Sequence, residues 1–339
     1  MTKVWIDFLL KFDSEHGLAY NGPIFFQWEP TESDVIILKI SEQDAVLKLW
    51  FEGVSKYDEF AAGATKASKI RGSLEIDNLD QEIEKIFEAN KTVYRSYEEF
   101  GKRVIKKLIE PSISRLLKVI TINYGQYWIP EFIKWDSRDT TLGEYCSGLN
   151  MRWSLDCKTW LDFRPEIRVR SSLKFRVAND SFFHQFMEKK DWISLQEFIA
   201  KNYEPSSAVM LLGRAYKYLE QKDVRSSFME GISSLELSIE EFLRTKIEAN
   251  QLEKSMEDSL VEFLQKGLRA QVVSLGISIG FIPMSDIELA VKAIEMRNSI
   301  VHQGLNPSLD HSRPILMGLF RTISRIVTGP PLKFPQKAL

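Results

Sequence analysis

Cysteine and histidine are both rare in this sequence. The 339 residues include only the cysteines Cys146 and Cys157, together with four histidines. Neither a Cys-x-x-Cys pair nor a Cys/His cluster occurs, so the sequence predicts neither a structural zinc site nor a disulfide framework. We therefore expect no metal and no cofactor.

A strong excess of one charge and a long hydrophobic run are also missing. The formal net charge is −2, which excludes a globally basic nucleic-acid binder, so any RNA contact must come from a local patch. The longest apolar region, residues 272–284, is shorter than the roughly 20 residues that span a bilayer. The first residues lack a long apolar core with a small-residue cleavage site, which predicts no signal peptide. We expect a cytoplasmic protein without a membrane partner.

What is present is the composition of an ordinary globular protein. Hydrophobic residues make up 44% and charged residues 27% of a chain of 339 residues, which is enough for two domains with buried cores. The run Glu204-Pro205-Ser206-Ser207 has the composition of a short domain junction. We predict an α+β fold class, with a mixed α+β domain over residues 1–203 and an all-α helical domain over residues 204–339.

The first half contains strand-like patterns after a short start that we predict to be helical. Residues 24–28 and 35–40 are rich in β-branched and aromatic side chains, which predicts a β-hairpin or a meander. Residues 45–51 fit either a third strand or a helix. The pattern becomes helical over residues 79–118, where Pro111 breaks or restarts the second helix.

Residues 167–177 alternate between apolar and cationic side chains, which is the two-residue period of a strand. One hypothesis is an RNA-binding surface, because arginine holds phosphate oxygens in bidentate fashion. The alternative is an outward-facing sheet surface balanced by acidic neighbours, and the sequence leaves both open. The cationic face consists of Arg168, Arg170, Lys174 and Arg176.

Beyond the junction, every segment has the apolar spacing of helices in a bundle. Asp223 is the predicted N-cap of the second of these helices. The helices are predicted over residues 208–221, 224–249, 256–275, 286–303 and 315–327.

The fourth of these helices has clear start and stop signals. Ser285 and Glu288 have the spacing of a capping box, in which each side chain accepts from a backbone N–H of the first turn. Gly304 can take the left-handed conformation that ends a helix, and Pro307 cannot continue one. At about 100° per residue, one apolar stripe is predicted to be the buried face. It consists of Ile287, Val291, Ile294, Val301 and Leu305.

Three polar residues interrupt that stripe. With Ile287 at zero, Asn298 lies at about 20°, His302 at about 60°, and Arg297 at about −80° on the border. A half-buried cation, amide or imidazole costs free energy unless it has a partner. The partner is either a ligand or the polar and acidic groups of the bundle itself.

The run Arg297-Asn298-Ser299-Ile300-Val301-His302 reads R-N-x-x-x-H, and it resembles the signature of the HEPN superfamily of small helical domains. These domains occur in many RNA-cleaving toxins and immunity proteins. The resemblance covers residues 206–327, and the first two hundred residues carry no such signature. It implies a helical bundle with the motif near its fourth helix, and a homodimer in which two motifs face one cleft.

Arg297 and His302 also have the chemistry that RNA cleavage by the ribose 2′-hydroxyl requires. Histidine titrates near neutral pH and can transfer protons, whereas arginine stays charged and stabilises the negative charge on phosphorus. No metal is needed for this reaction. The predicted catalytic residues are therefore Arg297, Asn298 and His302.

Two classes of function remain open. The first is a metal-independent endoribonuclease in prokaryotic antiviral defence or a toxin–antitoxin system, with RNA as substrate and an antitoxin or regulatory protein as a partner. The N-terminal domain would then sense a trigger, select the substrate or restrain the nuclease. The second is a non-catalytic module that binds RNA, a nucleotide or a protein. The intact motif favours the first class, and the lack of a globally basic surface favours the second.

Overall fold

The described part of the chain is α+β. Seven antiparallel strands and seven helices are present within it, and none of these helices is long and apolar enough to cross a membrane. Contacts divide the chain into a first unit, 1–121 with 128–204 and 337–339, and a second unit, 122–127 with 205–336. The computed structural model describes residues 3–11, 23–40, 44–57, 63–77, 81, 84–85, 104, 107–126, 129, 149–163, 186–250, 262–263, 266–279, 282–327 and 332.

The first unit contains one sheet in which strands follow the order β3-β4-β5-β1-β6-β7. The short strand β2 also pairs with β5, at Thr65–Ala67, beyond the segment of β5 that pairs with β1. The strands are β1 (Val4–Lys11), β2 (Ile24–Phe26), β3 (Ile36–Ile40), β4 (Ala45–Lys56), β5 (Thr65–Ile76), β6 (Leu149–Ser154) and β7 (Leu161–Phe163).

Alternating side chains give the sheet one buried face. In β1, Val4, Ile6, Phe8 and Leu10 are all buried, which is the two-residue period of a half-buried strand. Phe8 pairs with Gly72 of β5, and its ring occupies the space that a Cβ at position 72 would need. The glycine therefore allows the aromatic ring to cross the neighbouring strand.

A helix packs on the sheet in the same unit. Helix α2 (Lys189–Ala200) places Trp192 against Phe51 of β4, with ring centroids 4.8 Å apart. Gln196 Nε2 donates to the carbonyl oxygen of Val35 at 2.9 Å. The aromatic contact and this hydrogen bond fix α2 beside β3 and β4. Helix α1 (Glu110–Asn123) precedes it in the chain.

The predictions for the first unit are partly correct. Residues 45–51 form a strand, but the predicted helical start is wrong, because β1 has the alternation of a strand. The runs 24–28 and 35–40 do not pair with each other, since β2 pairs with β5 and β3 with β4. Pro111 is the second residue of α1, and residues 107–109 immediately before α1 are π-helical, so the helical stretch changes its hydrogen-bond pattern just before the proline. The predicted basic strand, with Arg168, Arg170, Lys174 and Arg176, lies outside the described residues.

The second unit is built from helices around one apolar core, to which Tyr216, Phe228, Leu235 and Phe320 contribute. Ser206 caps the first of them through the N–H of Val209, and Asp223 Oδ1 accepts from the N–H of Ser226, which confirms the predicted N-cap. The helices are α3 (Ser207–Glu220), α4 (Val224–Asn250), α5 (Leu268–Ile279), α6 (Met284–Gln303) and α7 (Leu309–Ile326).

Helix α6 is held tightly between its neighbours. Gly318 of α7 leaves room for Leu289, and Gly276 of α5 leaves room for Ile287, since a Cβ at either glycine would overlap these side chains. The buried Asp286 carboxylate accepts from Arg321 Nε at 3.0 Å and from Nη2 at 2.7 Å. These contacts fix the orientation of α6, which carries the motif.

Candidate functional site

The ends of α6 agree with the predicted bounds, although one of the predicted signals is wrong. The helix begins at Met284, and the carbonyl oxygen of Pro283 accepts from the N–H groups of Asp286 and Ile287. Ser285 therefore lies inside the first turn, and no side chain makes a capping hydrogen bond there. At the other end Gly304 has a φ of 67°, which confirms the predicted left-handed stop.

The buried face of α6 is rotated from the predicted stripe. Ile287 and Ile294 are buried as predicted, but Val301 and Leu305 are 48% and 41% exposed. Small residues of α6 lie where it contacts the neighbouring helices, and they let those helices approach closely. A pattern based on hydrophobicity alone does not separate such small residues from larger apolar ones, so it places the buried face wrongly. The buried residues of α6 are Asp286, Ile287, Ala290, Ala293, Ile294 and Ile300.

Arg297 contacts a carboxylate of the bundle. Its Nη2 donates to Glu236 Oε1 of α4 at 3.0 Å, and the arginine side chain is 26% exposed. This single contact leaves other N–H groups of the planar guanidinium for a second acceptor. The acidic partner that the sequence left open is thus Glu236, and the position remains accessible from solvent.

Arg297 and Asn298 line a groove between α4, α5 and α6, with a volume of about 670 Å³. Asn298 is exposed, so its amide is available to a ligand in this groove. A second ion pair lies close by, with Arg269 Nη1 3.0 Å from the carboxylate of Glu295. The groove is lined by Glu236, Gly267, Leu268, Arg269, Ala270, Val273, Ile294, Arg297 and Asn298.

His302 is exposed and follows Asn298 by four residues, so the two lie on one face about 6 Å apart along the helix axis. It is not among the groove residues. It lies in the last turn of α6, one residue after Val301 and three before Leu305, both of which are exposed. The structure therefore brings Arg297 and Asn298 to the groove and leaves His302 outside it, near two exposed apolar residues in the sequence.

Sequence reasoning missed Glu236 and Arg269. Glu236 is 61 positions from Arg297 along the chain and carries no motif of its own. The spacing on α4 marks it only as a residue on the polar face of an amphipathic helix. Its proximity to the motif follows from the packing of α4 against α6, which no local pattern encodes.

No group of three or more His, Cys, Asp or Glu side chains that could hold a metal ion occurs among the described residues. Comparisons with protein-family models, with curated proteins and with solved structures found no match to this chain. The chemistry of this region is that of Arg297, Asn298, His302 and the groove.

Proposed function

We propose that the second unit is a metal-independent, HEPN-type endoribonuclease that uses Arg297, Asn298 and His302. The observation that supports this most is the exposure of Asn298 and His302 on one face of α6, with Arg297 on the groove wall beside them. A cation, an amide and an imidazole on one accessible surface are the groups that a phosphodiester reaction needs.

In the proposed reaction the 2′-oxygen of a ribose attacks the adjacent phosphorus and the 5′-oxygen leaves. His302 takes the proton of the 2′-hydroxyl, and a second imidazole gives a proton to the leaving oxygen. Arg297 donates to the phosphate oxygens, where negative charge increases in the transition state. The products are a 2′,3′-cyclic phosphate and a 5′-hydroxyl, and none of these reaction steps requires a metal.

The second imidazole comes from a second copy of the chain. Val301 and Leu305 are 48% and 41% exposed and flank His302, which gives the motif an apolar border. A two-fold axis through this surface pairs each residue with the same patch of its partner, and it brings two His302 side chains to one cleft. The enzyme is therefore proposed to be a homodimer.

The setting that fits this activity is the cytoplasm of a prokaryote, in antiviral defence or a toxin–antitoxin system. A nuclease that cuts cellular RNA must be restrained, so an antitoxin or regulatory protein belongs to the proposal. The first unit is the proposed sensor, substrate selector or inhibitor.

One observation favours the alternative, a non-catalytic module that binds RNA, a nucleotide or a protein. Arg297 contacts Glu236 at 3.0 Å, and an arginine held by a carboxylate can serve a structural role. In the enzyme, RNA phosphate replaces this carboxylate. An exposed ion pair contributes only about 0–1 kcal/mol, so the exchange is energetically small.

The test is incubation of the purified protein with a pool of structured RNAs in EDTA. We expect cleavage by the wild type, products that end in 2′,3′-cyclic phosphate, and loss of cleavage in His302→Ala. The matched control is His311→Ala, because His311 is also exposed but lies in the first turn of α7. Thermal unfolding checks that both variants fold.

Full activity of His302→Ala, or activity that EDTA removes, would contradict the mechanism. RNA binding without cleavage by the wild type would instead support the binding module.

A further inference from the structure

The proposed reaction uses only one edge of the groove. Arg297 and Asn298 are the residues of the motif that line the groove, and the first residues of α5 line it as well. Leu268, Ala270 and Val273 from α5 and Ile294 from α6 make much of the lining apolar. A phosphate group gains nothing from an apolar wall, so the groove is suited to a different part of a ligand.

The lining matches a planar group with apolar faces and a polar edge. The volume of the groove, about 670 Å³, lies within the usual range for small-ligand sites, which combine apolar walls with a few polar groups. An unstacked nucleobase has this character, because proteins pack apolar side chains against its faces and hydrogen-bond its edge. The exposed Asn298 amide offers both a donor and an acceptor for that edge.

The charges of the groove agree with a nucleotide. Two arginines, Arg269 and Arg297, line it together with one carboxylate, Glu236. Both arginines are engaged by carboxylates at 3.0 Å, Arg297 by Glu236 and Arg269 by Glu295. Each pair is exposed enough to exchange its carboxylate for a phosphate oxygen at small cost.

We propose that the groove is a nucleobase subsite, which takes one unstacked base of single-stranded RNA next to the phosphate that Arg297 contacts. The inference depends on the proposed function for its substrate, since the base belongs to a nucleotide adjoining the cleaved bond. The proposed subsite defines a substrate class. Unpaired loops and ends of RNA bind, whereas a continuous duplex does not, because its bases are stacked and paired.

The test compares ligands that differ by the base alone. The four nucleoside 5′-monophosphates and ribose 5-phosphate are titrated into wild-type protein by calorimetry. We expect at least one nucleotide to bind about fivefold or more tightly than ribose 5-phosphate, since burial of roughly 40 Å² of apolar base surface contributes about this factor. This measurement requires no cleavage.

The matched variants are Ala270→Trp and Lys292→Trp. Ala270 is exposed and lines the groove, so the indole fills the groove without entering the core. Lys292 is exposed on α6 but does not line the groove. We expect Ala270→Trp to reduce nucleotide affinity to that of ribose 5-phosphate, and Lys292→Trp to bind as the wild type does. Asn298→Leu is a second variant, which should lower the affinity for nucleotide more than it lowers the affinity for ribose 5-phosphate.

The two proposals fail in distinguishable ways. RNA cleavage without any base-dependent affinity, and with full activity in Ala270→Trp, would overturn the nucleobase subsite and leave the nuclease intact. Base-dependent affinity that Ala270→Trp abolishes, in a protein that cuts no RNA, would support the subsite and refute the nuclease.

Discussion

Arg297 has two competing anions in the proposed cycle, the Glu236 carboxylate and the RNA phosphate. A planar guanidinium can contact both for part of the exchange, because its N–H groups point along more than one edge. Lysine lacks this geometry, since its ammonium is a compact point charge. Glu236 therefore sets how readily Arg297 becomes available to phosphate.

Removal of the Glu236 charge should strengthen RNA binding. In Glu236→Gln the competing carboxylate is lost, and the affinity for a single-stranded RNA should rise by up to about fivefold, because an exposed ion pair contributes up to about 1 kcal/mol. Fluorescence anisotropy in a His302→Ala background measures this binding without cleavage.

The matched control for this change is Glu240→Gln. Glu240 lies one turn further along α4 and pairs with Arg244 at 2.8 Å, so its loss changes the net charge by the same amount without freeing Arg297. Equal increases in both variants would show a general charge effect and refute the exchange at Arg297.

At the scale of elements, α6 shows what sequence does and does not predict. Its length and its stop at Gly304 follow from apolar periodicity and from the left-handed glycine, which are local properties. The buried face of α6 does not follow from these local properties, because it depends on small residues such as Ala290 and Ala293 at the contact with neighbouring helices. For the same reason the exposure of Val301 was not predictable from hydrophobicity.

The sheet gives a second example. Strand β4 alternates between buried and less buried positions over its first half, yet the sequence of residues 45–51 fits either a strand or a helix. The sequence gives no prediction for strand β5, because its buried positions include Thr65, Ala67 and Gly72 and its alternation shifts by one residue at Ser68 and Lys69. Its central place follows from pairing with the preceding strand β4 and with β1 and β2, which are more distant in sequence. The pairing with β1 and β2 is a tertiary property, so no local window of the sequence contains it.

The crossing of α6 and α7 should be sensitive to a single methyl group. Gly318→Ala puts a Cβ against the Cβ of Leu289, which is tied to the backbone and cannot move away. We expect a loss of about 1–3 kcal/mol in the free energy of unfolding, net of the gain in helix propensity, because overpacking forces backbone shifts. Chemical denaturation measures this loss.

Gly276→Ala is the matched control for the helix crossing. The nearest atom there is Cδ1 of Ile287, the far end of a flexible side chain that can rotate away. Its loss of stability should be the smaller of the two. A larger loss at Gly276 would contradict this account of the packing.

At the scale of the whole molecule, the exposed apolar border of the motif is the proposed dimer surface. Val301→Asp places a charge on that surface, so it should give a monomer by light scattering at micromolar concentration and abolish RNA cleavage. Met284→Asp is the control, because Met284 is 58% exposed but lies at the start of α6, about 25 Å along the helix axis. It should stay dimeric.

Mixed protomers give an independent check of the shared site. Wild type mixed with His302→Ala, with exchange of subunits, forms dimers that hold a single His302, and these should be inactive because the proposed reaction needs two imidazoles. Activity that falls as the square of the wild-type fraction supports a site built by both copies, whereas a fall in simple proportion to that fraction indicates sites within single chains. A wild-type protein that is monomeric and still cleaves RNA would refute the shared site.

The order of strands in the sheet has a consequence for synthesis on the ribosome. Strand β1 pairs on one side with β5, which is complete at Ile76, and on the other with β6, which begins at Leu149. At about 5–20 residues per second, the roughly 70 residues between them take about 4–15 s to be made. During that interval the hydrogen-bonding edge of β1 is open to other nascent chains, so a chaperone that shields this edge should raise the yield of folded protein.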